Sequence, residues 1–230
     1  MRAARATTRI EIAILSPAWA NAVPHLEARV RRAAKAALAA ARADGCILPP
    51  RVEVSLALAG DRLVQHLNST YRKRNKPTNV LSFPAADIAG PKSRKREGAW
   101  LQPPRQPVLL GDVPVLLGDV IVAFETTDAE ATAQGKALGH HLAHLIVHGT
   151  LHLLGYDHER LAEARRMERL EVAILAGLGV ADPYAAAALV VRRRATSRPG
   201  ATGTRAATRS THSSAKKETR TGRARQRSGK

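Results

Sequence analysis

Apolar positions change period several times along this chain, and each change marks an element. Ile10 to Leu15 is a short apolar run and reads as a strand. From Val23 to Ala43, the positions Val23, Leu26, Val30, Ala33, Ala37 and Leu38 recur near helical spacing in an Ala/Arg-rich stretch ended by Asp44-Gly45, which predicts the first helix. Arg51 to Leu58 alternates, with Val52, Val54, Leu56 and Leu58 on one side, as a half-buried strand does. Asp61 is placed to cap a helix carrying Leu63, Val64 and Leu67 that ends before Arg72. Thr78 to Phe83, closed by Pro84, predicts a short strand. Leu-Leu-Gly-Asp-Val then occurs twice between Leu109 and Val120. The second copy, continued as Leu117 to Phe124, is the better central strand because it runs further without proline.

Helical spacing returns after that strand. Thr127-Asp128-Ala129-Glu130 has the form of a capping box, which predicts a helix start. The helix continues through Leu154 with a break near Gly135 or Gly139, and Gly155 suits the left-handed position after a helix end. A final helix, Glu159 to Leu175, carries Leu161, Ala164, Met167, Leu170, Ile174 and Leu175 on one face. This order of elements predicts an α+β domain, with a small sheet of about four strands and the long helix packed across it.

Charge divides the chain. The 230 residues carry 37 Lys+Arg against 19 Asp+Glu, a formal +18. Thirteen of those cations and one acid, Glu218, lie between Arg192 and Lys230, a net +12 in a segment with almost nothing to bury. Residues 192–230 are therefore expected to be a disordered polycationic tail, and residues 1–191 a mildly basic domain long enough to bury one core. A second basic segment, residues 85–106, mixes Gly and Pro with Lys92, Arg94, Lys95 and Arg96 and reads as a long insertion loop.

Cys46 is the sole cysteine, which excludes an intrachain disulfide and a Cys-rich zinc finger and agrees with a reducing compartment. Ala137 to Tyr156 has no formal charge and the length of a bilayer span, but it holds five histidines, which argues against a membrane segment. The N-terminus imitates a signal peptide, with Ala18-Trp19-Ala20 as a mock cleavage site. Glu11 and Pro17 break its apolar run, and a cytoplasmic protein is expected.

The chemistry concentrates in six of the nine histidines, which fall between positions 140 and 158. His148 and His152 are four apart and project from one helix face. Gly155 lets the chain turn back, and His158 then supplies a third nitrogen. Three neutral imidazoles leave a tetrahedral zinc ion one open position, as catalytic sites do, for a water acidified to a pKa of about 7. His144 extends the ladder by one turn and is expected to support the ligands or pack in the core; His140 and His141 are expected to face solvent. The frame matches the metzincin protease pattern at every histidine and at the glycine, but Gly149 stands where the protease carries its general-base Glu. A peptidase is therefore disfavoured.

Positions 148 to 158, His-Gly-Thr-Leu-His-Leu-Leu-Gly-Tyr-Asp-His, resemble throughout the hallmark segment of the YbeY endoribonucleases, also called rRNA maturation factors. Leu67-Asn68-Ser69-Thr70-Tyr71-Arg72, followed by Pro77-Thr78-Asn79-Val80-Leu81-Ser82-Phe83-Pro84, is similar to a second family block, and Leu117-Gly118-Asp119-Val120-Ile121 to a third. The final helix, with Met167, Glu171, Ile174 and Leu175, also fits. The chain departs from the family at Asn79, where many members have Asp, in its basic insertion and in its tail.

The resemblance implies a single-strand-specific, metal-dependent endoribonuclease acting on ribosomal RNA precursors and ribosomal particles in ribosome maturation. It implies one zinc-like ion on His148, His152, His158 and a water, and it makes Arg72 the family's functional, catalytic arginine. Chemistry agrees for Arg72, because a guanidinium grips two oxygens of a phosphodiester as its charge builds; without the family, Arg72 reads as a surface base beside Lys73, Arg74 and Lys76. Asp157 either orients a histidine or takes a proton, or else caps the following helix; Asp119 is a weaker candidate base. The competing reading is an RNA-binding assembly factor whose metal is structural. The tail suits either, contacting phosphates without regard to sequence or standing solvated and dispensable.

Overall fold

Four strands and six helices are built by residues 7–85 and 114–185, which a computed structural model describes. They fall in one of two compact units of the chain, residues 1–187; the other unit, residues 188–230, lies outside the described residues, as do the predicted tail at 192–230, nearly all of the insertion loop and Leu109–Val113.

The strands are β1 (Thr7–Ile14), β2 (Arg51–Ala59), β3 (Val80–Pro84) and β4 (Val115–Ala123), in the order β1-β2-β4-β3. β2 is parallel to β1 and to β4, and the edge strand β3 is antiparallel to β4. The alternation read at 51–58 is the burial pattern of β2, whose Val52, Val54, Leu56 and Leu58 are fully buried. β4 is interior, as its proline-free run predicts. It contains a bulge where Val54 pairs with Gly118 rather than with Leu117. Gly118 has φ +137°, and a Cβ there would lie 2.2 Å from the Phe83 carbonyl oxygen, so only glycine serves.

The helices are α1 (Pro17–Ala22), α2 (Leu26–Ala43), α3 (Asp61–Arg72), α4 (Phe124–Ala133), α5 (Leu138–Leu153) and α6 (Leu161–Gly177). The helix expected over residues 23–43 is α2, which starts at Leu26; α1, one and a half turns long and too short to show a period, precedes Val23 and is not among the expected helices. The residues that mimic a cleavage site lie on α1. Trp19 there is fully buried, donates its indole N–H to the Ala59 carbonyl at 3.0 Å and stands edge-on to Phe124.

Two predicted caps are replaced by bonds between helices. Asp61 does not cap α3; it is that helix's first residue, and its carboxylate accepts from the backbone N–H and hydroxyl of Thr126 at 3.0 and 2.8 Å. In return the Asp61 N–H donates to the Glu125 carboxylate at 2.7 Å. The first turns of α3 and α4 thus cap one another. Helix α4 accordingly starts at Phe124, three residues before the expected Thr127, whose hydroxyl instead donates to the Ala123 carbonyl. The helix break falls at Gly135, with φ +62°, while Gly139 lies inside α5. Leu161, expected on the apolar face of the last helix, is exposed at its start.

Successive residues of β3 show how the sheet is covered. Ser82 donates to the Gly149 carbonyl of α5, while the Phe83 ring packs against Tyr71 of α3. Neighbouring strand residues face opposite sides, so α5 and α3 cover opposite faces of this edge. No helix among the described residues is long and apolar enough to cross a membrane.

Candidate metal centre

Helix α5 lies close against β4 because position 149 has no side chain. A Cβ at Gly149 would come within 2.5 Å of Val120 Cγ1 and 3.1 Å of Ser82 Oγ. The residue that a metzincin uses as a base is therefore excluded here by packing as well as by sequence.

Spacings of three and four residues place His141, His144, His148 and His152 on one stripe of α5, with successive ring centroids 6.1, 6.1 and 4.5 Å apart. Gly155, at φ +79°, reverses the chain after the helix as expected. His158 returns with its ring 5.0 Å from that of His152 and 5.7 Å from that of His148. The ligand nitrogens of His148, His152 and His158 lie within 4.8 Å of one another.

The partners of these rings show that the site fits a cation. His148 Nδ1 lies 2.8 Å from Glu171 Oε1, and His152 Nδ1 lies 3.0 Å from the Tyr156 carbonyl oxygen. An ionised carboxylate and a carbonyl only accept, so both Nδ1 atoms carry the proton in this assignment. Two bare Nε2 lone pairs then face each other at 3.0 Å. A proton on one Nε2 or a bound cation relieves that repulsion, and a cation turns it into ligation. A tetrahedral zinc with Zn–N bonds of ~2.0–2.1 Å separates its ligand nitrogens by about 3.3 Å, close to the spacing present. Burial, then the neighbouring His148 and His158, push His152 down to about 4, so it is neutral near pH 7, the form that can bind a metal.

Glu171, from α6, anchors the centre and has no exposed surface. Its Oε1 accepts from His148, and its Oε2 accepts from His144 Nε2 at 3.1 Å and from the Tyr184 hydroxyl. Burial alone would raise its pKa, but the hydrogen bonds from His144, His148 and Tyr184 prevail and hold the carboxyl down to about 2. Sequence reading placed Glu171 on the last helix without a role at the centre. The signal was its spacing, because position 171 falls on the apolar stripe with Met167, Ile174 and Leu175, where a carboxylate needs buried donors.

His144 shares Glu171 with His148, and the donor atoms of these three also lie within 4.8 Å of one another. His141 does not face solvent: it is 5% exposed, and its Nε2 lies 2.9 Å from Glu130 Oε2. Burial, more than the carboxylate opposes, lowers its pKa. His140 is exposed as expected. Glu130 also accepts from Asn79 Nδ2 at 2.9 Å. An Asp at 79 would set two carboxylates against each other.

Arg72 is exposed in the last turn of α3, and among the described residues no hydrogen bond or ion pair joins it to the histidines. It stands across the edge strand β3 from α5. Asp157 does not cap α6, whose cap position is Arg160; its Oδ1 accepts from the His158 N–H at 2.7 Å and so shapes the turn bearing the third histidine. Asp119 pairs with Phe83 and faces away from α5, since Val120 next to it is the residue against Gly149.

Comparison with known proteins adds an independent finding. The family model described as Endoribonuclease YbeY matches residues 19–179. A protein of Paramagnetospirillum magneticum named Endoribonuclease YbeY is 49% identical over 180 residues, covering 77% of this chain and 98% of its own. Proteins of the same name are 45% identical in Azorhizobium caulinodans, over 76% of this chain and 96% of theirs, and 47% identical in Rhodospirillum rubrum, over 73% and 76%. The matched span contains Arg72, the three histidines and Glu171 and ends before Tyr184.

Proposed function

The chain belongs to the YbeY endoribonuclease family, and from that premise we propose that it is a metal-dependent endoribonuclease of the cytoplasm that cleaves single-stranded RNA. Its substrates in this reading are ribosomal RNA precursors on ribosomal particles. The observation that carries the proposal is the pair of Nε2 atoms of His148 and His152 converging at 3.0 Å, with His158 completing three donors. Those three would hold one zinc ion, which when bound supplies a Lewis acid able to bring the pKa of water from about 15.7 to about 7.

The chain's own residues prepare the reaction. Glu171 and the Tyr156 carbonyl fix the two helix-borne imidazoles in the tautomer that presents Nε2. Asp157 holds the turn that delivers His158. Arg72 grips two oxygens of the scissile phosphate and offsets the charge that builds there. Three protein donors rather than four favour chemistry over a purely structural metal. With glycine at 149, the site lacks the base that peptide hydrolysis requires.

The test uses fluorescently labelled single-stranded and duplex RNA, with the chain and its His148→Ala variant. Cleavage of the single strand alone, lost in the variant while RNA binding persists, is the expected result. Undiminished cleavage by the variant would overturn the assignment.

A further inference from the structure

Across the edge strand from the metal centre, the C-terminal turn of α3 presents an aromatic ring among cations. Tyr71 is 56% exposed, with its ring centroid 5.3 Å from that of Phe83 at an interplanar angle of 67°. The edge-to-face contact fixes the ring from one side and leaves another side to solvent. Arg72, Lys73, Arg74 and Lys76 follow it, all exposed, and among the described residues none of the four pairs with a carboxylate.

This turn is built rather than loose. Lys73 takes the left-handed conformation, φ +58°, unusual for a residue with a Cβ. Asn68, almost fully buried, holds it: its carbonyl accepts from the N–H groups of Lys73 and Arg74, and its Nδ2 donates to the Lys76 carbonyl at 2.8 Å. Gln65 donates to the Asn75 side chain at 3.0 Å. Ordering costs have thus been met before any ligand arrives.

We infer that Tyr71 is a stacking platform for an unpaired base of a single-stranded RNA, whose flanking phosphates lie on Arg74 and Lys76. The inference deepens the proposed function and rests on its reading of RNA as substrate. An exposed ring stacks on any base, and cations beside it track the backbone, which is how single strands are held without sequence preference. A duplex keeps its bases stacked on one another and offers the ring nothing, so the platform accounts for selection of single strands. Phe83 and Ser82, adjacent on β3, connect the ring to the α5 turn that bears His148. A strand that stacks on Tyr71 therefore has only the edge of the sheet to cross to reach the histidines.

The experiment measures binding by the full chain carrying His152→Ala, to suppress cleavage, using a short single-stranded RNA with one 2-aminopurine and a matched duplex. Adding Tyr71→Ala should weaken single-strand binding by about 5- to 150-fold and abolish quenching of the fluorescent base, leaving duplex binding unchanged. Tyr71→Phe should restore both signals. Arg74→Ala should weaken both RNAs alike and lower the salt slope by about one. Equal single-strand affinity with and without the Tyr71 ring would overturn the platform, as would equal losses for single strand and duplex. Cleavage retained by the His152→Ala parent would instead count against the assignment of the chemistry to the three histidines, and the stacking result would be judged separately.

Discussion

A carboxylate with no exposed surface needs donors around it, and Glu171 finds them in His144, His148 and Tyr184. Residues behind metal ligands are worth about 10- to 100-fold in affinity. Glu171→Gln is therefore expected to weaken zinc binding by that order, measured by competition with a chelator, while the three ligands stay in place. Unchanged affinity would show that His148 is held by other means. At this scale the convergence of the three histidines was legible in the sequence, because helical spacing and a glycine turn leave few alternatives for where they meet. Glu171 and His141 were not, because their roles depend on what other elements bring to them. His141 lies beside His140, and only the Glu130 carboxylate from α4 distinguishes the buried ring from the exposed one.

Elements meet at their ends in this fold, and the caps show it. The carboxylates of Asp61 and Glu125 each serve the first turn of the other's helix. Asp61→Ala should cost about 0.5–2 kcal/mol in urea unfolding, the range for a lost N-cap. It should also speed hydrogen exchange at the Thr126 amide of α4, whereas a cap local to α3 would leave that amide untouched. Propensity alone pointed to Thr127 and Glu130 as the start of α4. Tertiary partners override it, since Glu130 is engaged by Asn79 and His141 and the helix begins where Asp61 can reach it. The strands were legible because β2 and β4 alternate or run long. The six-residue α1 was not, because one and a half turns cannot establish a period.

For the whole molecule, the four-strand α+β architecture places one helix across the sheet and turns its histidine stripe toward α6. A cationic segment of net +12 follows the domain in sequence, at residues 192–230. Each phosphate neutralised on a single strand contributes about −0.7 to the slope of log affinity against log salt. Deleting residues 192–230 should therefore flatten that slope for RNA binding while leaving the cleavage products unchanged. A slope that does not move would show that the tail makes no phosphate contacts.

Metal removal and replacement tests the central claim most directly. The full chain, cleared of contaminating nucleases, would be stripped with a chelator and titrated with zinc, with bound metal and cleavage of single-stranded RNA measured on the same samples. Cleavage should vanish on stripping and return in step with one ion per chain, and His152→Ala should neither retain the ion nor regain activity. Full cleavage by the stripped protein, or by His152→Ala, would contradict the assignment of the chemistry to the three histidines.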